Sequence, residues 1–427
     1  MLKQFLSGLA LSATLIPAAY AETLYIRAAQ MVDVVSGRTV EQPALIIEDE
    51  RIIEVGQWPA LGVPAGASTI DLGNSTLLPG LIDMHTHLTS KATEHGYQAL
   101  GVSTARQAIT GVKNARTTLL AGVTTVRNLG AAGFSDVALR DAIAAGDVIG
   151  PRMIVSGPSL GITGGHCDSN LLPPRYRAVA EGVADGPWAV RQKVRENIKY
   201  GADTIKLCAT GGVLSKGTKV GVQQYTEEEM AAIVDEAHRR GLIVAAHAHG
   251  TEGIKSAIRA GVDSIEHASF MDDEAINLAK KHGTYLSMDI YDTEYILSEG
   301  IKSGMLPESI EKEKITGQRQ RDSFSRSWQA GIKMVMGTDA AVYPHGDNAK
   351  QLSRMVTFGM SPMEALQAAT IEGAKLLKMS EQIGSLRAGR YADLIAVAGD
   401  PIADISLLEQ PQFVMKGGVV YLNQLQD

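Results

Sequence analysis

Between residues 105 and 336 the sequence keeps returning to one pattern: a run with helical spacing followed by a short apolar strand, several times with an Ala-Gly or Arg-Gly stop between them. Residues 105–121 lead into 124–126, 190–200 into 204–207, and 226–240 into 243–246. Residues 252–260 lead into 264–265, and 323–330 into 333–336. Strands separated by helices of this length pair in parallel and are covered by those helices, because a parallel connection must travel back along the sheet. The number and length of these units fit an α/β fold of the (β/α)8 TIM-barrel type, with its site at the C-terminal ends of the strands. A doubly wound open sheet is the alternative, but no Gly-X-Gly-X-X-Gly follows the first strand to support it.

The flanks have a different texture. Residues 23–28 and 44–48 are β-patterned, with turns at 36–37 and 48–51. Residues 392–397 and 413–422 are strand-like too, around a Lys416-Gly417-Gly418 turn. The expected division is a β-sandwich domain built from both chain ends, residues 22–75 and 379–427, with the barrel at 76–378 inserted between them. Residues 1–21 combine Lys3, an apolar stretch at 5–16 and Ala19-Tyr20-Ala21. That is the layout of a cleaved signal peptide, and the apolar stretch is too short to span a bilayer. The mature chain is expected to begin near Glu22 and to be periplasmic or secreted. No later stretch suits a membrane. The net charge of −7, without a basic block and with 5% aromatic residues, argues against nucleic acid as a partner. Cys167 and Cys208, the two cysteines of the chain, are expected as buried free thiols, although an exported protein can pair them.

Chemistry-bearing residues gather at the ends of the expected strands. An apolar run from Leu77 ends in His85-Thr86-His87, and residues two apart on a strand share a face. Lys206, His247 (with His249 on the same face), His267 and Asp339 end other strands. A single histidine of this kind is usually a satisfied structural residue. Polar groups at five separate strand ends are not explained by packing, and a shared metal satisfies them together. Lys206 has apolar neighbours. An ion-paired core lysine is one reading; a desolvated, nucleophilic amine that captures carbon dioxide as a carbamate is the other.

In order, His85-X-His87, Lys206, His247, His267 and Gly337-Thr338-Asp339 resemble the ligand pattern of the binuclear metal-dependent amidohydrolase superfamily. The resemblance extends over nearly the whole mature chain, including Gly389-Arg390-Tyr391-Ala392-Asp393-Leu394. Thr163-Gly164-Gly165-His166, Ala209-Thr210-Gly211-Gly212, His247-Ala248-His249-Gly250 and Ser264-Ile265-Glu266-His267-Ala268 are similar to the prolidase-like branch. Within that branch the chain is similar to bacterial amidohydrolases that split ochratoxin A into ochratoxin alpha and phenylalanine. The resemblance implies two divalent cations, zinc foremost, and carbon dioxide as a carbamate on Lys206. His85, His87 and Asp339 would hold one cation, His247 and His267 the other, with the carbamate between them. Asp339 would also shuttle the proton, and His166 and Tyr225 would meet the carbonyl or oxyanion. His249 would be an auxiliary or substrate-facing residue. Asn128 and Gln351 depart from the residues common in relatives, while His345 is expected near the pocket and His95, His238 and His282 in solvent.

The implied substrates are dipeptides or N-acyl amino acids with a free carboxylate, acted on by a homo-oligomer. Hydrolysis of a cyclic amide, as in imidazolonepropionase-like relatives, is an alternative. So is a periplasmic metal- or solute-binding protein without activity, although simple capture needs neither Lys206 nor Asp339.

Overall fold

Residues 23–425 are the part of the protein described by this computed structural model, so the leader expected at 1–21 lies outside the described residues. The first strands are short and antiparallel for the most part: β1 (Thr23–Arg27), β2 (Gln30–Asp33), β3 (Arg38–Glu41), β4 (Pro43–Glu48), β5 (Arg51–Gln57), β6 (Ser68–Asp71) and β7 (Ser75–Pro79). The parallel set follows as β8 (Leu81–Thr86), β9 (Val123–Asn128), β10 (Arg152–Val155), β11 (Thr204–Cys208), β12 (Ile243–Ala248), β13 (Ser264–His267), β14 (Tyr285–Ser287) and β15 (Met334–Val335). β16 (Leu394–Ala398), β17 (Phe413–Lys416) and β18 (Val419–Asn423) then rejoin the first group.

Two sheets arise from the flanking segments, in the orders β5-β4-β1-β6 and β18-β17-β16-β7-β2-β3. Leu78, which the expected division assigns to the barrel segment, pairs with Ile395, so residues early and late in the chain meet in one ladder. Ile26, Leu45, Ile47 and Ile52 of the first sheet share an apolar cluster with Met31, Leu77, Leu394 and Phe413 of the second. Burial of such side chains stabilises by about 1.5–3 kcal/mol each before entropy is counted.

The parallel strands form a three-stranded sheet, β10-β9-β8, and a five-stranded one, β11-β12-β13-β14-β15. They are mixed α/β as expected, but the ladders do not close into one barrel. Between the sheets stand isolated parallel bridges, Thr86 to Ala340 and Leu160 to Leu207, in place of continuous ladders. The connecting helices are α1 (Thr104–Leu120), α2 (Ser135–Ala144), α3 (Pro187–Lys199), α4 (Glu227–His238), α5 (Thr251–Ala260), α6 (Asp273–His282), α7 (Asp292–Glu299) and α8 (Pro307–Gln329). β11 and β12 are buried at every residue, the pattern of strands covered on both faces. Local chemistry sets the helix ends. Thr226 and Glu229 make a capping box at the start of α4, and Gly261, at φ 95°, ends α5 in the left-handed region that glycine adopts without strain.

Arg127 crosses from one parallel sheet to the other. From β9 its guanidinium donates to Met84 O (2.7 Å), to Ser264 Oγ (3.0 Å) and to Glu266 Oε1 (2.8 Å), and both members of the ion pair are 0% exposed. Cys167 and Cys208 are joined as a disulfide with Cα atoms 6.0 Å apart, which corrects the expectation of free thiols. The loop at 162–170 folds back over the end of β11, and that places the two side chains together. Among the described residues no helix is long and apolar enough to cross a membrane.

Candidate metal centre

β8 delivers the first two ligand candidates, His85 inside the strand and His87 just past its end. Their ring centroids lie 5.3 Å apart. Behind them on the same face, buried Asp83 accepts from His85 N (3.1 Å), Thr338 N (3.2 Å), Thr338 Oγ1 (2.6 Å) and Asn348 Nδ2 (2.7 Å). Burial pushes its carboxyl up to about 6 against those donors. The network locks β8 to the segment after β15 and so presents Asp339, whose Oδ1 is 3.3 Å from His85 Nε2 and 3.0 Å from His87 Nε2. Burial alone would raise the Asp339 carboxyl, but the facing His85 and His87 rings hold it well below the usual carboxylate range.

β12 and β13 supply the second group. His247, His249 and His267 each offer a ring nitrogen, and these atoms lie within 4.8 Å of one another. Lys206 enters from β11 with Nζ 3.2 Å from His85 Nε2, and burial pushes its ammonium down to about 8. The six metal-ligand candidates read from the sequence therefore converge. Asp339 and His267 both sit at positive φ, 51° and 70°. Such conformations cost other residues than glycine about 1–3 kcal/mol each and gather at functional sites.

Neighbouring groups orient the rings. His87 Nδ1 meets Gly130 O at 3.3 Å, His267 Nδ1 meets Asp289 Oδ2 at 2.8 Å, and His249 Nδ1 meets Ser269 Oγ at 2.8 Å. With Nδ1 so engaged, Nε2 keeps its lone pair for a cation. His247 Nε2 is buried without a hydrogen-bond partner among the described residues, while His85 Nδ1 faces the buried Glu266 Oε2 at 3.5 Å. An orphaned His247 nitrogen, and a His85 Nε2 that faces the Asp339 carboxylate and the desolvated Lys206, form a donor set that fits divalent cations.

His166 stands over this cluster, its ring stacked on that of His247 at 4.0 Å. Gly212 makes the stack possible, since a Cβ there would lie 2.4 Å from His166 Cε1 and 2.7 Å from His247 Cε1. His166 Nδ1 is held by Ser215 Oγ at 2.7 Å, and burial pushes its pKa down to about 3, leaving the ring neutral. A cavity of ≈ 520 Å³ opens above these groups and carries His166 and His249 on its wall.

Some expectations fail here. Tyr225 does not reach the cavity: it is buried in the core, and its hydroxyl donates to Ala184 O at 3.0 Å. The residue directly precedes Thr226, the cap of α4. His345 meets Ser90 O at 3.2 Å, so Ser90 rather than His345 borders the cavity. His95, expected in solvent, borders it, while His238 is exposed beside Asp263 and His282 is exposed. Asn128 Oδ1 accepts from Leu88 N (2.7 Å), and Gln351 bridges Tyr291 N and Met288 O, so both departures serve the backbone next to the site.

The sequence reading missed Asp289, which orients His267 and itself joins His267 and Asp339 as a possible ligand group. Asp292, Glu313 and Gln320 line the same wall and were missed as well. The signal was a polar residue just after the apolar run Tyr285-Leu286-Ser287-Met288, at the end of a strand only three residues long.

Residues 76–421 match the family described as "Amidohydrolase family". The ochratoxinase of Aspergillus niger is 33% identical over 410 residues, 90% of this chain and 84% of that protein. Among solved structures, a Xaa-Pro dipeptidase with methionine bound in its active site superposes with a TM-score of 0.89 at 37% identity, covering 94% of this chain and 100% of the other. The crystal structure of A. niger ochratoxinase gives a TM-score of 0.85 at 30% identity, over 94% and 96% of the two chains.

Proposed function

The chain belongs to the amidohydrolase family, and from that premise we propose that this hydrolase cleaves the amide bond of dipeptides or N-acyl amino acids bearing a free carboxylate, ochratoxin A included. The observation that carries the reading is the convergence of His85, His87, Asp339, His247, His267 and the Lys206 amine beneath one cavity. The likeness to an ochratoxinase and to a Xaa-Pro dipeptidase supports the choice of amide.

His85, His87 and Asp339 would hold one cation and His247 and His267 the other, and Lys206 as its carbamate would be a further ligand. Two such cations, zinc foremost, would supply an acidified water and a polarised carbonyl when bound. The remaining work falls to the chain. Asp339 Oδ accepts the proton of the attacking water and returns it to the leaving amine nitrogen. His166, neutral and fixed by Ser215, donates from Nε2 to the oxygen on which charge develops only if its proton sits there; Ser215 Oγ then donates to Nδ1, an arrangement the 2.7 Å contact accommodates. His249, braced by Ser269, keeps the His267 ring stacked in place.

The wider architecture is read in the same way. Two parallel sheets bridged at both edges support a (β/α)8 barrel over 76–378, and the shared apolar cluster supports a β-sandwich from 22–75 and 379–427. A leader at 1–21 and an exported, periplasmic or secreted, homo-oligomeric protein complete the reading; the paired cysteines suit an oxidising compartment. N-terminal sequencing of exported protein and light scattering test these two points.

The decisive experiment is hydrolysis by metal-loaded protein of a panel of dipeptides, N-acyl amino acids, ochratoxin A and cyclic amides. Release of a free amino acid from the linear substrates is expected. Turnover confined to cyclic amides, or none at all, overturns the proposal.

A further inference from the structure

The cavity wall is rich in acid: Glu94, Asp168, Asp289, Asp292, Glu313 and Asp339 all border it. Apart from the cations of the metal centre, a substrate that carries its own carboxylate needs a positive side chain on such a wall to receive it. No arginine lines the cavity among the described residues, and its lysines are Lys91, Lys206 and Lys216. Lys91 Nζ is already paired with Glu94. Lys206 is buried among the ligand candidates. Of the three, Lys216 is the one that stands outside the ligand cluster and has no carboxylate partner among the described residues: its Nζ donates to the Tyr97 hydroxyl at 2.8 Å and keeps two of an ammonium's three protons for another acceptor.

We infer that Lys216 is the residue that binds the free carboxylate of the substrate and so makes the enzyme select acids over their amides. The inference rests on the amidohydrolase reading above and names the group that recognises the substrate.

Lys216 is held from both sides. Ser215 O accepts from Lys312 Nζ at 2.6 Å, and Gly217 N donates to Glu308 Oε1 at 2.9 Å. Ser215 Oγ also holds His166 Nδ1. The residue assigned to the scissile carbonyl is thus fastened to the immediate neighbour of Lys216. In a dipeptide or N-acyl amino acid the scissile carbonyl carbon and the carboxylate carbon are separated only by the amide nitrogen and the α-carbon. The turn at 215–217 carries Lys216 and, through Ser215 Oγ, holds His166, so both groups border one cavity as a substrate with closely spaced groups requires. A preplaced ammonium facing a carboxylate in a partly enclosed cavity contributes a charge-assisted hydrogen bond, which sets the expected size of the effect.

The test compares an N-acyl-phenylalanine with its primary amide as substrates for metal-loaded wild type, Lys216→Met, Lys216→Gln and Lys216→Arg. Wild type is expected to prefer the acid. In Lys216→Met and Lys216→Gln the acid-to-amide ratio of kcat/KM should fall about 10- to 100-fold, through KM for the acid rather than kcat, and Lys216→Arg should restore much of it. If either neutral variant that turns over substrate keeps the wild-type ratio, Lys216 is not the carboxylate anchor. Wild type that hydrolyses acid and amide equally, or neither, removes the functional reading itself, so the two failures are told apart.

Discussion

Asp339 combines three properties that rarely coincide: partial burial, a carboxyl held well below its usual range by His85 and His87, and a left-handed backbone. Each is costly alone, and a proton-shuttling ligand uses all three, because the carboxylate must stay ionised and aimed at one point. Asp339→Asn keeps size and loses the base, so kcat should fall at least about 10²- to 10⁴-fold while the circular dichroism spectrum stays native. Turnover near that of the parent would end the shuttle assignment. At this scale the site was largely legible, since His85, His87, Lys206, His247 and His267 stand at strand ends whose apolar runs are plain in the sequence. Asp289 was not, because the three-residue strand before it carries too few residues for a period to show. Tyr225 was misplaced because a resemblance assigns a residue type and not the direction of its ring.

At the scale of elements, Arg127 is the tie between the two parallel sheets, reaching from β9 to Glu266 and Ser264 on β13. Arg127→Met leaves Glu266 buried without a countercharge and should cost about 3–5 kcal/mol in urea unfolding. A loss below 1 kcal/mol would mean that Glu266 finds another partner. The Cys167–Cys208 link closes a separation of 41 residues, which chain entropy values at about 4 kcal/mol. Cys167→Ser should therefore lower the unfolding free energy by about 2–4 kcal/mol, and reduction of the parent protein by dithiothreitol should reproduce the shift. Neither tie could be read beforehand: cysteine spacing is silent on pairing, and the sheet-crossing partners of Arg127 lie 137 and 139 residues away.

For the whole molecule, the pocket is assembled from strands throughout the parallel set, so a cation held there links distant parts of the chain. Chelation by EDTA should abolish hydrolysis and lower Tm by several degrees, since a ligand bound only by the folded state adds about 2–4 kcal/mol at saturating concentration. An unchanged Tm with lost activity would confine the cation to chemistry. The alternation of helix and strand made the α/β class legible, and the matching texture of the flanks foretold their common sheet. β10 and β14 escaped because short strands blur into the loops beside them. The division into two parallel sheets escaped too, because local pattern does not record where a ladder breaks.

The pairing of β7 with β16 has a consequence in time. Thr76 Oγ1 donates to Gly399 O, 323 residues further along, and Leu78 waits for Ile395. A ribosome adding about 5–20 residues each second needs roughly 16 to 65 seconds to make that intervening stretch. Through that interval the edge of β7 stands open to any other strand, so the nascent chain is most exposed to misassembly before its last strands emerge.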